Sequence, residues 1–486
     1  MSNVLSHLKP ELVWKYFEEI TQVPHPSKKE EKIRQYMISW AQKMGFEYKS
    51  DKLGNLVIKK PATPGMENRK KVCIQGHLDM VCEKNSDVEF DFDNEPLKIY
   101  IDGDWVKAQG TTLGADNGIG IAMGMALMAS DDIPHPALEL LCTLDEETGL
   151  TGAIQLGTDL VTADILLNLD SEDEGAFTIG CAGGLNTSGI FKYEADTIPE
   201  NNTAYKLSLK GLRGGHSGIE IHDGRANAAK LLSRFLWNAT RNFGIRLVHF
   251  QSGNKHNAIP REAFATILVA NDKISEFEEF FNTSKDTYKK EYATKEPNLD
   301  MFFEKAEMPS RVLKSDVAYR ILSSFVAMPH GVIRMSPDIP GLVQTSTNFA
   351  IVETRENEIY VLTSQRSSIE TEKRFVENMV YAALELGGAE VSTGDGYPAW
   401  EPNVNSEILN VAKDIYKKVL GKEPKIEAIH AGLECGLIGE KYPGIDMLSF
   451  GPNLKDVHSP DEKVSISSVE RIWNFLVELI KNIPQK

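Results

Sequence analysis

The sequence predicts an α/β protein whose mixed-sheet domain is interrupted by an inserted α+β domain. Short apolar runs alternate with helical patterns between about residues 31 and 191, and the same texture returns after residue 391. The middle of the chain instead interleaves strand-like segments with long amphipathic helices. With 486 residues, the chain is long enough for two or three domains with ample cores.

We place the domain boundaries where this texture changes. The first domain is predicted over 1–185 and 392–486, and the inserted domain over 186–391. A domain inserted within another predicts a hinged pair with a ligand-binding cleft. Inside the insertion, Lys285–Glu307 is rich in charge and is either a surface helix or a solvated connection. We favour the solvated connection.

The elements follow in order along the chain. The N-terminal residues predict an amphipathic helix capped by Ser2 or Asn3. Strands are predicted at Val72–Gln75, Leu138–Leu144, Ile165–Leu169 and Ile445–Phe450. Helices are predicted at Gly118–Ser130, Ala226–Arg241, Ser368–Gly387, Ser406–Val419 and Val469–Ile483.

Composition excludes several classes of protein. A formal net charge of −17 disfavours nucleic-acid binding, which requires a concentrated basic surface. The N-terminus lacks the pattern of a signal peptide, and the most apolar stretch, Gly118–Ala129, falls well short of the roughly 20 residues that span a bilayer. We therefore expect no membrane association and a cytoplasmic location. The five scattered cysteines indicate reduced thiols, and Cys435 is interpreted as buried rather than reactive.

Metal-capable side chains follow the predicted strands. His77 and Asp79 form an H-x-D pair, in which Asp79 can orient a metal-binding His77. Of the acids Asp145 to Glu147, Glu146 and Glu147 can both face one site, one as a ligand and the other as a general base. Asp116, in the segment TTLGADNGIGIA, is a further candidate. Each motif has an ordinary alternative: His77 can be a structural histidine, Asp116 a helix cap, and the acids a solvated turn.

Taken together, five positions predict a pair of divalent ions, because each is a metal-capable side chain in a loop after an apolar strand. They are His77, Asp116, Glu147, Asp170 and His458. Two histidines and three carboxylates suit two ions, with one carboxylate bridging across roughly 3.5 to 4 Å. Water between such ions ionises near a pH of about 7, and peptide hydrolysis needs that nucleophile. The histidines disfavour calcium or magnesium.

The ordered motifs resemble the aminoacylase/carnosinase clan of co-catalytic zinc peptidases over nearly the whole chain. Within it, they are most similar to the dipeptidases that cleave aminoacyl-histidine substrates. The matching segments are GHLDMV, GADNGIG, DEETGLTGA, NLDSEDEG, GGHSG and VHSPDE. Each is weak alone, but in this order they are highly specific. The fold that the resemblance implies is a two-metal catalytic domain with an inserted lid domain.

The resemblance also implies roles for residues of the first domain. Asp116 would bridge two ions, His77 and Asp170 would complete one, and Glu147 and His458 the other. Glu146 would be the general base, with the Asp116–Asn117 peptide bond cis. The ions would be zinc, although the ligand types also allow cobalt or manganese.

In the lid, the resemblance implies that His216 stabilises the oxyanion and that Arg366 receives the free carboxylate of the substrate. Asn257 and Gly432 resemble substrate-contacting loops. A turn histidine, a surface ion pair and a turn cap are the respective alternatives for His216, Arg366 and Asn257. His222 lacks the motif context and is interpreted as structural.

The implied activity is hydrolysis of Xaa-His and other unblocked dipeptides, including carnosine, by a metal-bridging water that Glu146 activates. A related metal-dependent deacylase of N-acyl amino acids, or a tripeptidase, shares this metal set and is the alternative. A non-catalytic binding module is disfavoured because the ligand set and Glu146 are complete. The resemblance also implies a homodimer through the lid, and leaves open whether His216 acts within its own chain.

Overall fold

The computed structural model describes residues 3–486 and divides into two compact units. Unit 1 comprises residues up to Cys181 together with Trp400–Ala428 and Leu433–Lys486. Unit 2 comprises Ala182–Ala399 and the short return segment Ile429–Gly432. The two main crossings lie within about ten residues of the predicted boundaries, whereas the return segment was not predicted. The catalytic and lid roles of these units stay predictions.

A mixed sheet organises unit 1. In spatial order its strands are Glu47–Ser50, Leu56–Lys60, Leu138–Thr143, Val72–His77, Ile165–Asn168, Asp446–Ser449, Ala176–Cys181 and Lys425–Ile429. A smaller sheet contains Leu454–Lys455, Lys463–Ser465, Trp105–Ala108 and Ile99–Asp102. The three central strands from the first half of the chain are buried along their whole length, as their continuous apolar sequences predict.

Four strands at the centre of this sheet are parallel. Val72–His77 pairs in parallel with Leu138–Thr143 on one side and with Ile165–Asn168 on the other. Asp446–Ser449 then pairs in parallel with Ile165–Asn168. Because parallel strands end at the same edge of a sheet, the residues after all four strands collect there.

The helices of unit 1 cover this sheet. They are Glu11–Thr21, Glu31–Met44, Ala115–Ala129, Thr151–Gln155, Glu407–Leu420, Glu434–Lys441 and Ile466–Lys481. The predicted N-terminal cap is wrong, because the first helix begins at Glu11 after Pro10, and Ser2 lies outside the described residues. No helix within residues 3–486 combines the length and hydrophobicity that crossing a bilayer requires.

The helix Ala115–Ala129 is almost entirely buried, as its apolar sequence predicts. Gly114, which precedes it, adopts a left-handed φ of 67°. Asp116 and Asn117 depart from helical geometry, and the peptide bond between them is cis. No side chain caps this helix, so Asp116 is not the helix cap that its sequence context also allowed.

Unit 2 is an α+β unit built on a long antiparallel sheet. In spatial order the strands are Asp300–Lys305, Asn202–Lys210, Ala263–Ala270, Arg246–Ser252, Val343–Thr354, Glu358–Ser367, Gly183–Lys192 and Glu390–Thr393, with Gly331–Met335 paired to Val343–Thr354. Short pairs join Ala195–Asp196 to Val312–Leu313 and Gly215–His216 to Ala258–Ile259. The helices are Ala228–Phe243, Ile274–Glu291, Ser315–Ala327 and Glu370–Leu386, with a 3₁₀ turn at Asn271–Lys273.

The charged segment Lys285–Glu307 is not the solvated connection that we favoured. Its first part completes the helix Ile274–Glu291, and its last part forms the edge strand Asp300–Lys305. Tyr288 and Met301 are buried in the hydrophobic core of unit 2. The apolar residues that anchor the segment are spaced too widely among the charges to form a recognisable run.

Candidate metal and catalytic site

The residues predicted to bind metal meet at the edge where the parallel strands of unit 1 end. His77 is the last residue of its strand. Glu147 follows Leu138–Thr143 and Asp170 follows Ile165–Asn168 within a few residues, and His458 lies in the loop between Leu454–Lys455 and Lys463–Ser465. Asp116 joins them from the irregular start of the helix Ala115–Ala129.

Asp116 lies between the two histidines. Its Oδ1 atom is 3.1 Å from Nε2 of His77, and its Oδ2 atom is 3.3 Å from Nε2 of His458. His77 Nε2 is also 3.4 Å from Asp170 Oδ1, and His458 Nε2 is 3.0 Å from Glu147 Oε2. The carboxylate of Asp116 therefore presents one oxygen to each imidazole.

These side chains form overlapping groups of ligand atoms. In the group of His77, Asp116 and Asp170, and in the group of Asp116, Glu147 and His458, the ligand atoms lie within 4.8 Å of one another. Asp116 belongs to both groups. This grouping supports a bridging role for Asp116, although the assignment of ligands to two ions stays a prediction.

Asp79 holds the neighbouring segments in place. Its Oδ1 and Oδ2 atoms accept hydrogen bonds from the backbone N–H groups of Glu146 (2.9 Å) and Glu147 (3.2 Å). His77 Nδ1 lies 3.5 Å from Asp79 Oδ1 and 3.0 Å from the Asp79 carbonyl oxygen. Burial alone would raise the pKa of Asp79, but its contacts with His77 and Glu146 lower it to about 2. Asp79 therefore stays ionised and links the ring of His77 to the loop that carries Glu146.

The field of the carboxylates favours positive charge at this site. Hydrogen bonds to Asp116 and Glu147 raise the pKa of His458 to about 11. Burial would lower the pKa of His77, but Asp170 and Asp116 outweigh it and hold that pKa well above its usual value. Acids this close together repel one another unless a cation or a proton separates them.

Glu146 has a different environment from the ligand acids. Burial is the main cause that raises the pKa of its carboxyl to about 9, and the nearby acids Asp170, Glu434 and Glu147 raise it further. A carboxyl group tuned upward in this way can both take and return a proton, which is what a general acid–base residue must do.

The residues fit a pair of divalent ions. Buried Glu147 Oε1 and Asp170 Oδ1 have no hydrogen-bond partner among the described residues, although buried polar atoms are normally paired. Imidazole nitrogens and carboxylate oxygens are ligands that zinc accepts, and cobalt or manganese can use the same set. A cation between the two groups would satisfy these oxygens and relieve the repulsion.

Glu462 is a supporting residue that the sequence analysis missed, although it lies in the quoted VHSPDE motif. Its buried carboxylate accepts hydrogen bonds from the backbone N–H groups of Leu113 (2.7 Å), Gly114 (3.1 Å), Ala115 (2.8 Å) and Asp116 (3.3 Å). The carboxylate therefore fixes the backbone on which Asp116 stands.

Glu434 was also missed, although it lies two residues after Gly432. It is 2% exposed, and burial raises its pKa to about 7. The HAGLECG segment resembled a substrate-contacting loop, but the sequence alone gave no reason to select Glu434 rather than Gly432.

The predicted lid residue His216 lies in unit 2 at the end of a short strand. Its Nδ1 atom accepts hydrogen bonds from the backbone N–H groups of Gly218 (3.2 Å) and Ile219 (3.1 Å). Burial lowers the pKa of His216, and the charge of Arg366 lowers it further. The neutral ring can then donate a hydrogen bond from Nε2, because Nδ1 is the acceptor.

Arg366 is buried within unit 2, with 7% of its surface exposed. Its Nη1 atom donates a hydrogen bond of 2.8 Å to the hydroxyl oxygen of Tyr397, and its Nε atom has no partner among the described residues. Gly432 lies against the same tyrosine, because a Cβ atom there would be 2.8 Å from Tyr397 Cε2. Tyr397 thus joins Arg366 and Gly432, which were predicted separately.

His430, in the return segment, extends this cluster. Its Nε2 atom lies 2.7 Å from Ser346 Oγ. Burial lowers the pKa of His430 to about 3, and among the neighbouring charges Arg366 contributes most to lowering it further. The carbonyl oxygen of His430 would be 2.3 Å from a Cβ atom at position 218, which explains the need for Gly218 beside His216.

Asn257 lines a cavity of about 810 Å³ in unit 2, together with His216, Arg213 and Arg261. Its carbonyl oxygen accepts a hydrogen bond of 2.9 Å from the backbone N–H of Ser217. Asn257 therefore supports the loop that carries His216. His222, interpreted as structural, lies outside this arrangement, with its Nε2 atom 4.0 Å from Asp223.

Comparison with known proteins identifies the family. The sequence profile described as peptidase family M20/M25/M40 matches residues 73–482. The chain belongs to this family. It is therefore a peptidase, and the resemblance seen in the sequence motifs is confirmed. Enzymes of this family depend on dinuclear metal sites.

Relatives in the family cover the whole chain. The cytosol non-specific dipeptidase of Escherichia coli (strain K12) is 44% identical over 485 residues, which is 99% of each chain. The solved aminoacylhistidine dipeptidase of Vibrio alginolyticus is 45% identical, with a TM-score of 0.95 over 99% of this chain and 98% of that one. The predicted α/β peptidase fold is confirmed. Aminopeptidase PepT from Bacillus cereus, at 16% identity and a TM-score of 0.57, shares the fold over 98% of this chain and 99% of its own.

Proposed function

We propose that this chain is a metal-dependent dipeptidase that hydrolyses unblocked dipeptides, including those with a C-terminal histidine. One observation carries the proposal: Asp116 belongs to two overlapping groups of ligand atoms, and the half-buried base candidate Glu146 adjoins them. The similarity to two dipeptidases over essentially the full chain supports the same substrate class.

The two ions would be held by His77, Asp116, Glu147, Asp170 and His458, and we propose zinc as the physiological metal. When bound, the ions supply Lewis-acid activation of water and of the scissile carbonyl group. Asp79 keeps His77 and the Glu146–Glu147 backbone in register, so that ligand and base keep a fixed geometry.

Glu146 acts as the proton carrier of the reaction. Its carboxylate takes a proton from the attacking water as the oxygen bonds to the carbonyl carbon. It then delivers that proton to the leaving amine as the C–N bond breaks. The ligand acids cannot take this role, because their oxygens are committed to the ions.

Residues of unit 2 recognise the rest of the substrate. His216 donates a hydrogen bond to the developing oxyanion, and the fixed donor need not reorganise during the reaction. Arg366 binds the free C-terminal carboxylate, for which its planar guanidinium is suited. Asn257 and Gly432 shape the loops around these two side chains.

The proposal is tested by assaying the purified protein with alanyl-histidine and carnosine, with metal content measured in parallel. We expect cleavage of alanyl-histidine that a chelator abolishes and added zinc restores. Tripeptides and N-acyl amino acids complete the panel. Protein with about two metals per chain that cleaves only N-acyl or longer substrates would refute the dipeptidase assignment.

We also propose a homodimer formed through unit 2 and a cytoplasmic location. The family resemblance of the sequence motifs supports the first, and the name of the Escherichia coli relative supports the second. Light scattering coupled to size-exclusion chromatography tests the oligomeric state. Mixing a His216→Ala chain with a Glu146→Ala chain tests whether His216 acts across a dimer, because only action across chains restores activity.

A further inference from the structure

Glu434 is a buried acid that the proposed reaction leaves without a task. It is the first residue of the helix Glu434–Lys441, and its side chain turns into unit 1. Oε2 accepts hydrogen bonds from Gln75 Nε2 (2.6 Å) and Thr143 Oγ1 (2.8 Å). Oε1 is buried and has no hydrogen-bond partner among the described residues.

Glu434 ends a row of polar side chains that crosses the parallel strands. Ser449 Oγ donates to Asn168 Oδ1 (2.5 Å), and Asn168 Nδ2 donates to Gln75 Oε1 (2.6 Å). Gln75 then donates to Glu434. Gln75 and Asn168 each precede a predicted metal ligand by two residues, so the row lies one step back along the strands from the ligands. Every donor in the row points toward Glu434, and none reaches Oε1.

The surroundings of Glu434 contain acids rather than a lysine or an arginine. The charged groups that influence it are His77 and Asp170, and Glu434 in turn influences Glu146. A buried carboxylate is usually paired with a cation, because leaving it unpaired costs solvation energy. No described side chain donates a hydrogen bond to Oε1, so this oxygen is left for a cationic donor from outside the chain.

The chemistry of a dipeptide provides such a group close to the base. The free α-ammonium is separated from the scissile carbonyl carbon only by the α-carbon. Its receptor must therefore lie beside the residue that handles the attacking water, and Glu434 contacts Thr143, which precedes Glu146 by three residues in the chain. An ammonium carries three donors, of which one can satisfy Oε1.

We propose that Glu434 binds the free α-ammonium of the substrate and thereby restricts this enzyme to peptides with an unblocked amino terminus. Gln75 and Thr143 position the carboxylate by occupying Oε2 and leaving Oε1 to the substrate. This inference rests on the proposed dipeptidase function and assigns the residue that reads one end of the substrate.

A purely structural role is the competing explanation. An acid in the first turn of a helix also stabilises the helix dipole, and the hydrogen bonds to Gln75 and Thr143 tie three segments together. This role predicts equal losses for every ligand, whereas an ammonium receptor predicts a loss only for ligands that carry the ammonium.

The experiment measures binding of a matched pair of inhibitors to the metal-loaded protein by calorimetry. One is a phosphinic analogue of alanyl-histidine, and the other is the same compound without its amino group. The variants are Glu434→Gln, which removes the charge at nearly constant shape, and Glu440→Gln, which changes an exposed glutamate of the same helix. Metal content and thermal stability are measured for each.

The wild type and Glu440→Gln should bind the amino compound about 10- to 100-fold more tightly than its partner, the usual range for a hydrogen bond to a charged group. Glu434→Gln should lose this preference while binding the deaminated compound as the wild type does. Equal weakening of both compounds, an unchanged preference, or no preference in the wild type would each overturn the assignment.

Glu434→Asp distinguishes a loss of ammonium binding from a folding defect. This variant keeps the charge but shortens the side chain by one methylene. That variant should bind the amino compound more weakly than the wild type and the deaminated compound equally well. Failure of the proposed function looks different. The wild type would then bind two metals but neither cleave alanyl-histidine nor bind either inhibitor, whatever residue stands at position 434.

Discussion

The polar clusters of the two units have opposite electrostatic character. In unit 1, acids surround two imidazoles and raise the pKa of His458 to about 11. In unit 2, burial and the charge of Arg366 lower the pKa of His430 to about 3 and also lower that of His216. The first cluster attracts cations, and the second provides neutral imidazoles beside a fixed positive charge.

Under the proposed function, this difference would suit the two clusters to groups of opposite charge. Metal ions need anionic ligands, which the acids of unit 1 would supply under that function. Under the same proposal, a developing oxyanion and a substrate carboxylate need donors and a positive charge, which His216 and Arg366 would supply. Substitutions in the two clusters should therefore have different effects. Those in unit 1 should change metal binding or kcat, and those in unit 2 should change substrate binding.

The largest expected effect separates chemistry from metal binding within unit 1. Glu146→Gln should lower kcat by about 10²- to 10⁴-fold, the range for loss of a general acid–base residue, with metal content unchanged. Steady-state kinetics and elemental analysis measure the two quantities. Asp173→Asn, at a nearby exposed acid, is the control and should behave as the wild type. Substantial turnover by the glutamine variant would remove Glu146 from the mechanism.

The second effect concerns the metal affinity of the site in unit 1. Glu462→Gln should weaken metal binding by about 10- to 100-fold, because an amide is a poorer acceptor for the four backbone N–H groups that fix Asp116. Competition with a fluorescent chelator measures the affinity. With saturating metal, kcat should largely recover. An unchanged affinity would show that the Asp116 backbone is held without Glu462.

The third effect concerns unit 2. Arg366→Lys should raise KM for dipeptides by about 10- to 100-fold with little change in metal content, because a lysine cannot form the bidentate contact with a carboxylate. A dipeptide amide, which lacks the carboxylate, should lose much less. Arg374→Lys, on an exposed helical position, is the matched control. Equal losses for the acid and the amide would contradict carboxylate binding.

The smallest effect is a pH dependence of stability from His430. Its folded pKa of about 3 lies below the ordinary value of 6.5, so the unfolded chain binds the proton first as pH falls. Stability present above pH 6.5 should therefore decrease toward pH 3, by at most about 1.4 kcal/mol per pH unit. Urea unfolding at pH 5 to 7 should show a shallower slope for His430→Gln. Parallel slopes would show that His430 does not titrate in this way.

The metal-capable residues could be predicted because their signals are local. An apolar run followed by His77, by Glu146 and Glu147, or by Asp170 marks the end of a buried strand. Parallel pairing then collects the strand ends without further information. The regular part of the helix begins after Asn117, as the prediction from Gly118 expected, but the apolar pattern gave no signal for the non-helical backbone at Asp116.

Glu462 and Glu434 could not be found in the same way, because their partners are remote in sequence. Glu462 accepts from residues that are 346 to 349 positions away, and Glu434 from Thr143, which is 291 positions away. Before the fold is known, each is an ordinary acid in a loop or at the start of a helix. The return segment Ile429–Gly432 is similarly a product of tertiary packing, because four residues carry no pattern of their own.

The strand Asp446–Ser449 has a consequence for how the chain is made. It lies between Ile165–Asn168 and Ala176–Cys181 in the sheet, yet the ribosome produces it only after residues 182–399. The central sheet of unit 1 cannot close until then, whereas residues 182–399 emerge earlier and can pack while synthesis continues. The nascent chain therefore gains the last predicted metal ligand, His458, only after most of unit 2 has emerged, which would delay any peptidase activity until then.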